Sequence, residues 1–226
     1  MALLIENDPR DRGLGPDGDP PHPGDPPSAR PQGFAVTDAI RSRHFVGLYA
    51  ACLICSFGVF VPFVHLVPYA MDHGIAQSSA ILLLGVIGVG STAGRFLLGG
   101  LADRMGRQRA LLIMFAGMAF ALVIWALSSV LWSLAVFALV YGVFYGGWVA
   151  ILPAVVMDYF GGRNVSGIIG ALYTSVAFGT LIGPSAAGFA FDWSHSYTLP
   201  ILASAVANVI AAGIVAGLSR ARVPTE

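Results

Sequence analysis

Six apolar stretches dominate the chain, at residues 45–69, 79–101, 110–127, 131–157, 165–191 and 198–218. Each is near or above the ~17–25 residues that a helix rising about 1.5 Å per residue needs to cross a hydrocarbon layer. Membrane strands would need only about ten residues of alternating polarity, and these runs do not alternate. With no water to satisfy backbone amides, such runs must be helical in lipid. The pattern predicts an all-α membrane protein with six transmembrane helices, numbered here as spans 1 to 6. Spans 3 and 6 are apolar nearly all round apart from Asn208, whereas spans 1, 2, 4 and 5 carry the Gly, Ser, Thr, Tyr, His and Arg residues. Two triples of this kind predict a three-plus-three inverted repeat, with the oily helices outside against lipid. No residue-level repeat is visible between the triples.

Charge fixes the orientation. The chain is 56% apolar and 11% charged, less than half the ~25% of an ordinary soluble domain. All twelve basic residues are arginine, and seven of the twelve acids and five of the arginines fall in the first 43 residues. Eight of the fourteen prolines lie between residues 6 and 33, mixed with Asp and Gly. Such a segment buries too little apolar surface to offset its ordering entropy, so residues 1–44 are expected to be a disordered tail or linker. "MALLI" is too short for the apolar core of a signal peptide. With six spans, eleven arginines fall on the side of the two termini, none on the other side, and one inside the membrane. The positive-inside rule then predicts that both termini, including the 219–226 tail, are cytoplasmic. The balanced net charge argues against nucleic acid as a partner.

Residues 94–109, "GRFLLGGLADRMGRQR", place four arginines and one aspartate in sixteen positions. Gly99, Asp103, Arg104, Gly106 and Arg107 fit a short loop between spans 2 and 3, with glycines for a tight turn and close helix approach. Asp103 can pair with an arginine of the loop. Arg95 stands apart, six residues before the end of the apolar run, or about 9 Å along the axis. Helical side chains lean toward the N-terminus, and span 2 begins on the far side, so Arg95 leans deeper into the membrane. At 100° per residue it shares a face with Gly85, Gly88, Ser91, Thr92 and Gly99. Two readings are open: an anion-binding arginine facing a cavity, or a structural arginine snorkelling to the interface.

Other polar positions carry the same pair of readings. His65 lies between Pro62 and Pro68, which break span 1, and its imidazole suits either a coupling proton or packing at the outer interface. Tyr141, Tyr145 and Trp148 form a stripe at helical spacing in span 4, and Tyr173, Thr174 and Ser175 sit together in span 5. Both groups read as packing or as the wall of a wet cavity. Asp158 and Arg163 flank "YFGG" as a gate or anchor pair. Cys52 and Cys55 form a CxxC inside an apolar run with no other Cys or His nearby in sequence, which favours packing over redox or metal chemistry.

The run "GGLADRMGRQRAL" fits G-x-L-A-D-R-x-G-R-x-x-x-L and resembles the signature loop of the major facilitator superfamily. With "VPFVHLVPYAMDHGI", "YGVFYGGWVAILPAVVMDYFG" and "GALYTSVAFGTLIGPSAAGFAFDWSHSY", it resembles the C-terminal half of monocarboxylate-transporter-like and oxalate/formate-type members, over roughly residues 45–218. The resemblance implies helices 7 to 12 of a twelve-helix transporter, and monocarboxylate-type members carry an arginine at the position of Arg95. There are two departures. Ser91 stands where an aspartate often precedes that arginine, and Val176 where oxalate-type members carry a lysine. Oxalate and an Asp–Arg proton pair within span 2 are therefore not expected.

The function expected is secondary transport of a small organic anion, a monocarboxylate, across the cytoplasmic membrane of a bacterium. Arg95 would bind the carboxylate, Ser91, Tyr141, Tyr145, Tyr173 and Thr174 would line the site, and His65 is the candidate carrier of a coupling proton. A second six-helix half, a separate chain or a second copy, is the expected partner. The alternatives are an inactive fragment of a longer transporter and a non-transporting membrane interaction or regulatory protein. No enzyme motif, cofactor or metal site is expected.

Overall fold

A computed structural model describes residues 32–218 and, before them, Leu14. Most of the expected 1–44 tail and all of the 219–226 tail lie outside the described residues. The described residues from Gly33 onward belong to one compact unit. Its helices are α1 (Val36–Arg41), α2 (Arg43–Val59), α3 (Val61–Asp72), α4 (Gln77–Met105), α5 (Arg107–Ala126), α6 (Leu131–Phe160), α7 (Val165–Ser194) and α8 (Thr198–Gly217). Span 1 is α2 and α3 together. With the other five it makes six helices long and apolar enough to cross a membrane. Apart from an isolated antiparallel bridge between Gly33 and Gly161, the regular structure among the described residues is helical.

Two local features differ from expectation, and a third matches it in part. Residues 33–43, expected within the disordered linker, are built onto the α6–α7 corner. The Phe34 N–H donates to the Phe160 carbonyl at 2.9 Å, Asn164 Nδ2 donates to the Phe34 carbonyl at 3.0 Å, and Ala39 is buried. Ser42 then caps α2, its Oγ accepting the Phe45 N–H at 3.1 Å. Second, the arginine-rich stretch is hardly a loop. Asp103 and Arg104 complete the last turn of α4, α5 begins at Arg107, and the turn is Gly106 alone, at φ 92°, a region open to glycine and strained for other residues. Third, span 1 breaks as expected at Phe60, just before Pro62, whose missing N–H cannot continue the α2 ladder, whereas Pro68, also expected to break it, lies inside α3.

The tightest packing follows two glycine seams. In α4, Gly90 and Gly94 lie against Gly142, Val143 and Gly146 of α6; a Cβ on Gly90 would sit 2.5 Å from the Leu139 carbonyl oxygen. In α7, Gly179 and Gly183 lie against Ser56 and Phe57 of α2; a Cβ on Gly179 would sit 2.5 Å from the Ser56 Cβ. The two motifs read "GSTAG" and "GTLIG" at matching depths in spans 2 and 5. They are a residue-level repeat that the sequence pattern alone did not separate from the many other glycines. The helix pairing has the same symmetry. Exchanging the first three spans for the last three turns the α4–α6 contact into α7–α2 and the α5–α6 contact into α8–α2, and leaves α5–α8 in place. Two inverted triples require this arrangement.

The oily helices are not simply lipid-facing. Leu111, Met114, Phe115, Met118, Leu122 and Trp125 of α5 are buried, while Ile113, Phe120 and Val123 are exposed. In α8, Asn208 is buried, donating Nδ2 to the Ser204 carbonyl at 2.9 Å and accepting from Cys55 Sγ at 3.4 Å. One face of each oily helix makes the core because its side chains fill the space between helices, at the cost of a buried Trp125 Nε1 that has no partner among the described residues. The polar-lined α4 and α7 are instead the most exposed of the six.

Candidate functional site

One side of α4 is spent on the α6 seam: Leu83, Ile87, Gly90, Ser91 and Gly94 are buried. The other side is open. Arg95 and Thr92 are exposed, and a Cβ on Gly85, Gly88 or Gly99 would meet nothing within 4 Å. Gly99 was expected to permit a close helix approach, yet it faces open space. Because α4 continues to Met105, Arg95 lies about 15 Å from the helix end rather than about 9 Å. The added turn carries Asp103 and Arg104 beyond the apolar run, so the argument against snorkelling remains the lean of the side chain away from the near end.

Arg95 makes no ion pair among the described residues. Gly94 packs on Val143 of α6 and Gly147 on Leu98 of α4, which sets Arg95 alongside Tyr145, and Tyr173 of α7 lies within range of the same charge. Neither hydroxyl has a hydrogen-bond partner among the described residues, and both tyrosines are only partly buried or exposed. Beside them, Thr174 Oγ1 donates to the Ala171 carbonyl at 2.7 Å, which leaves the Tyr49 hydroxyl to donate to Thr174 Oγ1 at 3.1 Å. At the helix break, the half-buried rings of Phe60 and Phe63 lie 6.2 and 5.3 Å from the Tyr145 ring, both edge-on.

Two of the expected lining residues do not reach this face. Ser91 is buried in the glycine seam, with its backbone against Gly146. Tyr141 is fully buried and donates its hydroxyl to the Val59 carbonyl at 2.7 Å. Each sits four residues, about 40° of helix, from the residue that does face the opening, and that rotation is enough to turn it into a helix–helix contact. The role of Tyr141 is structural, since it caps the last carbonyl of α2 where the break removes the helical donor.

His65 belongs to a separate cluster toward the arginine-poor end. Its Nε2 is 3.0 Å from the Pro184 carbonyl. A carbonyl only accepts, so Nε2 carries the hydrogen and Nδ1 is the atom left to exchange a proton. The ring lies 5.7 Å from that of Tyr197, which stacks on Phe191 at 4.2 Å. Burial first, then Asp72 and Asp192, push the Tyr197 hydroxyl above its usual range, so it stays neutral. At the arginine-rich end, Arg107 joins three helices. It pairs with Asp158 of α6, donates to the Ala154 carbonyl at 3.3 Å and reaches Asp103 of α4 at 3.4 Å. Asp158 was expected to work with Arg163; its partner is Arg107. Arg104 is exposed.

A family profile described as Major Facilitator Superfamily matches residues 19–226. The chain belongs to the major facilitator superfamily. It is 34% identical to monocarboxylate transporter 12-B of Danio rerio, over 73% of this chain and 35% of the relative. It is 28% identical to monocarboxylate transporter 11 of Homo sapiens, over 88% of this chain and 45% of the relative, and 29% identical to an aspyridones efflux protein of Emericella nidulans, over 68% and 32%. The chain thus spans less than half the length of each. In fold it is similar to an auto-inhibited POT family peptide transporter, with a TM-score of 0.69 at 16% identity, over 82% of this chain and 39% of the other. Superfamily membership and six membrane-capable helices make this a multi-pass membrane protein of a transporter family. On the open face, Tyr49, Phe60 and Phe63 are residues that the sequence pattern did not single out. The available signal was the i, i+3 spacing of the two phenylalanines, which puts them on one face; that this face meets Tyr145 is a tertiary contact.

Proposed function

We propose that the protein serves secondary active transport of a small monocarboxylate by alternating access, with Arg95 as the carboxylate anchor. One observation carries this reading: an exposed mid-helix arginine without an ion pair among the described residues lies alongside Tyr145 across the α4–α6 seam, with Tyr173 within range of its charge, and neither tyrosine hydroxyl has a partner among the described residues. An unpaired charge within a membrane is costly, and a carboxylate is the ligand whose two oxygens match the guanidinium fork. The relatives named monocarboxylate transporters support the same class. Tyr145, Tyr173 and the Tyr49–Thr174 pair line the site; His65, free at Nδ1, is the candidate for a coupling proton. Both termini lie in the cytoplasm, and the Arg107 hub holds the cytoplasmic ends of α4, α5 and α6 together as one rocking unit. A second six-helix half covers the open face. The test is uptake and binding of carboxylates by reconstituted protein, normalised to folded yield. Arg95→Ala is expected to abolish both while leaving insertion intact, since a charge is removed from the membrane. Arg95→Lys is expected to weaken binding by about 1.5–3 kcal/mol, the range of a charge-assisted hydrogen bond, because it keeps the charge and loses the fork. Full activity of the Ala variant, or full rescue by Lys, refutes the anchor role.

A further inference from the structure

We infer that the site selects carboxylates bearing an aromatic ring, and that Phe63, with Phe60 and Tyr145, is the element that reads the ring. This rests on the proposal that Arg95 anchors a carboxylate. Arg95 is the one arginine between residues 45 and 218 that lies away from a helix end, and there is no lysine; His65 belongs to a separate cluster. The site therefore holds one anionic group, and what surrounds it decides the rest of the ligand.

That surrounding is aromatic on the side of the helix break. Phe60 and Phe63 lie 5.3 Å apart, and each meets Tyr145 edge-on, at interplanar angles of 81° and 63°. Phe60 and Phe63 are three residues apart, which places them on one side of the chain even in a continuous helix, and here they sit at the junction where α2 stops at Val59 and α3 starts at Val61. All three rings are only half-buried, and Tyr145 sits beside Arg95 across the seam where Gly94 packs on Val143 and Gly147 on Leu98. One side chain thus belongs to both the anion anchor and the ring wall. Half-buried rings that already meet edge to face leave faces and edges for another ring, and aromatic quadrupoles favour such pairs beyond the apolar area they bury. An alkyl group of equal size gains the area alone.

Benzoate and cyclohexanecarboxylate separate the two cases, being matched in charge and ring size but differing in aromaticity. Binding of each, and of acetate, is measured to the purified full chain in lipid nanodiscs. Benzoate is expected to bind at least about two-fold tighter than cyclohexanecarboxylate, the lower end of what an aromatic pair adds beyond area. In Phe63→Leu, which keeps a bulky apolar side chain and the fold, that ratio is expected to fall to about one while cyclohexanecarboxylate binding stays within roughly two-fold of the native protein. Phe63→Ala is expected to lose the ratio as well. Equal binding of the two ring acids, or a benzoate preference unchanged in Phe63→Leu, overturns the inference while leaving the carboxylate anchor standing. Failure of all three acids to bind, or binding indifferent to Arg95→Ala, overturns both.

Discussion

Tyr141 and Tyr145 show how far two identical side chains on one helix can diverge. They are one turn apart in α6 and their rings are near-parallel at 6.4 Å. Tyr141 is enclosed and bonded to the Val59 carbonyl, whereas Tyr145 is half-buried with a hydroxyl that no described residue engages. Removing the hydroxyls separates structure from function. Tyr141→Phe leaves a buried carbonyl unpaired and is expected to destabilise the protein by about 1–3 kcal/mol, seen as earlier thermal unfolding in detergent, with carboxylate affinity unchanged. Tyr145→Phe is expected to leave unfolding unchanged and to weaken carboxylate binding by about 0.5–1.5 kcal/mol, the value of one net hydrogen bond. The reverse pattern would exchange the two roles.

At the scale of helices, the seams and the open faces divide the glycines into two kinds. Gly146 of α6 and Gly94 of α4 sit backbone to backbone against Ser91 and Val143, while Gly88 has free space where a Cβ would go. A methyl group at Gly146 has no flexible side chain to displace, so the helices themselves must separate. Gly146→Ala is expected to cost about 1–3 kcal/mol, as overpacking does, and to lower the yield of monodisperse protein. Gly88→Ala is expected to be neutral for folding, because alanine also favours the helix. If Gly146→Ala folds with native stability, the α4–α6 seam is looser than described. The matching position in the other seam, Gly183 against Phe57, is expected to behave like Gly146.

For the whole molecule, the expectation concerns sidedness and what covers the Arg95 face. Native Cys52 and Cys55 are buried, so single cysteines can be placed against a silent background. Arg109→Cys is expected to react with a membrane-impermeant maleimide only after the cytoplasmic side is exposed, and Ser196→Cys only from outside. Labelling of Arg109→Cys in intact cells would invert the topology. The open side of α4, with Arg95, Thr92 and Gly88, leaves polar groups facing lipid unless another helical unit covers it, which is costly. Transport is expected to require that unit. A cysteine at Thr92 is expected to crosslink to a partner half or a second copy, and transport by a strictly monomeric species of this chain would show that no cover is needed.

Span number, the helical state of each span and the separation of polar-lined from oily helices were all legible in the sequence, because hydrophobic length and backbone satisfaction in lipid leave little else possible. The arginine motif and its glycine turn were legible for a similar reason: the constraint acts on neighbouring residues. Arg95 could be singled out, since one charge in a long apolar run is informative by itself. Its company could not. Ser91 and Tyr141 were placed beside it by helical periodicity, yet the rotation of α4 and α6 about their own axes turned both into contacts, and Tyr145 and Tyr173 toward the opening. Likewise the pairing of Asp158 with Arg107, the docking of residues 33–43 on the α6–α7 corner and the aromatic wall at Phe60 and Phe63 join residues distant in sequence. Periodicity assigns each helix its faces, but only the packing of one helix on another decides which face is enclosed and which is left for a ligand.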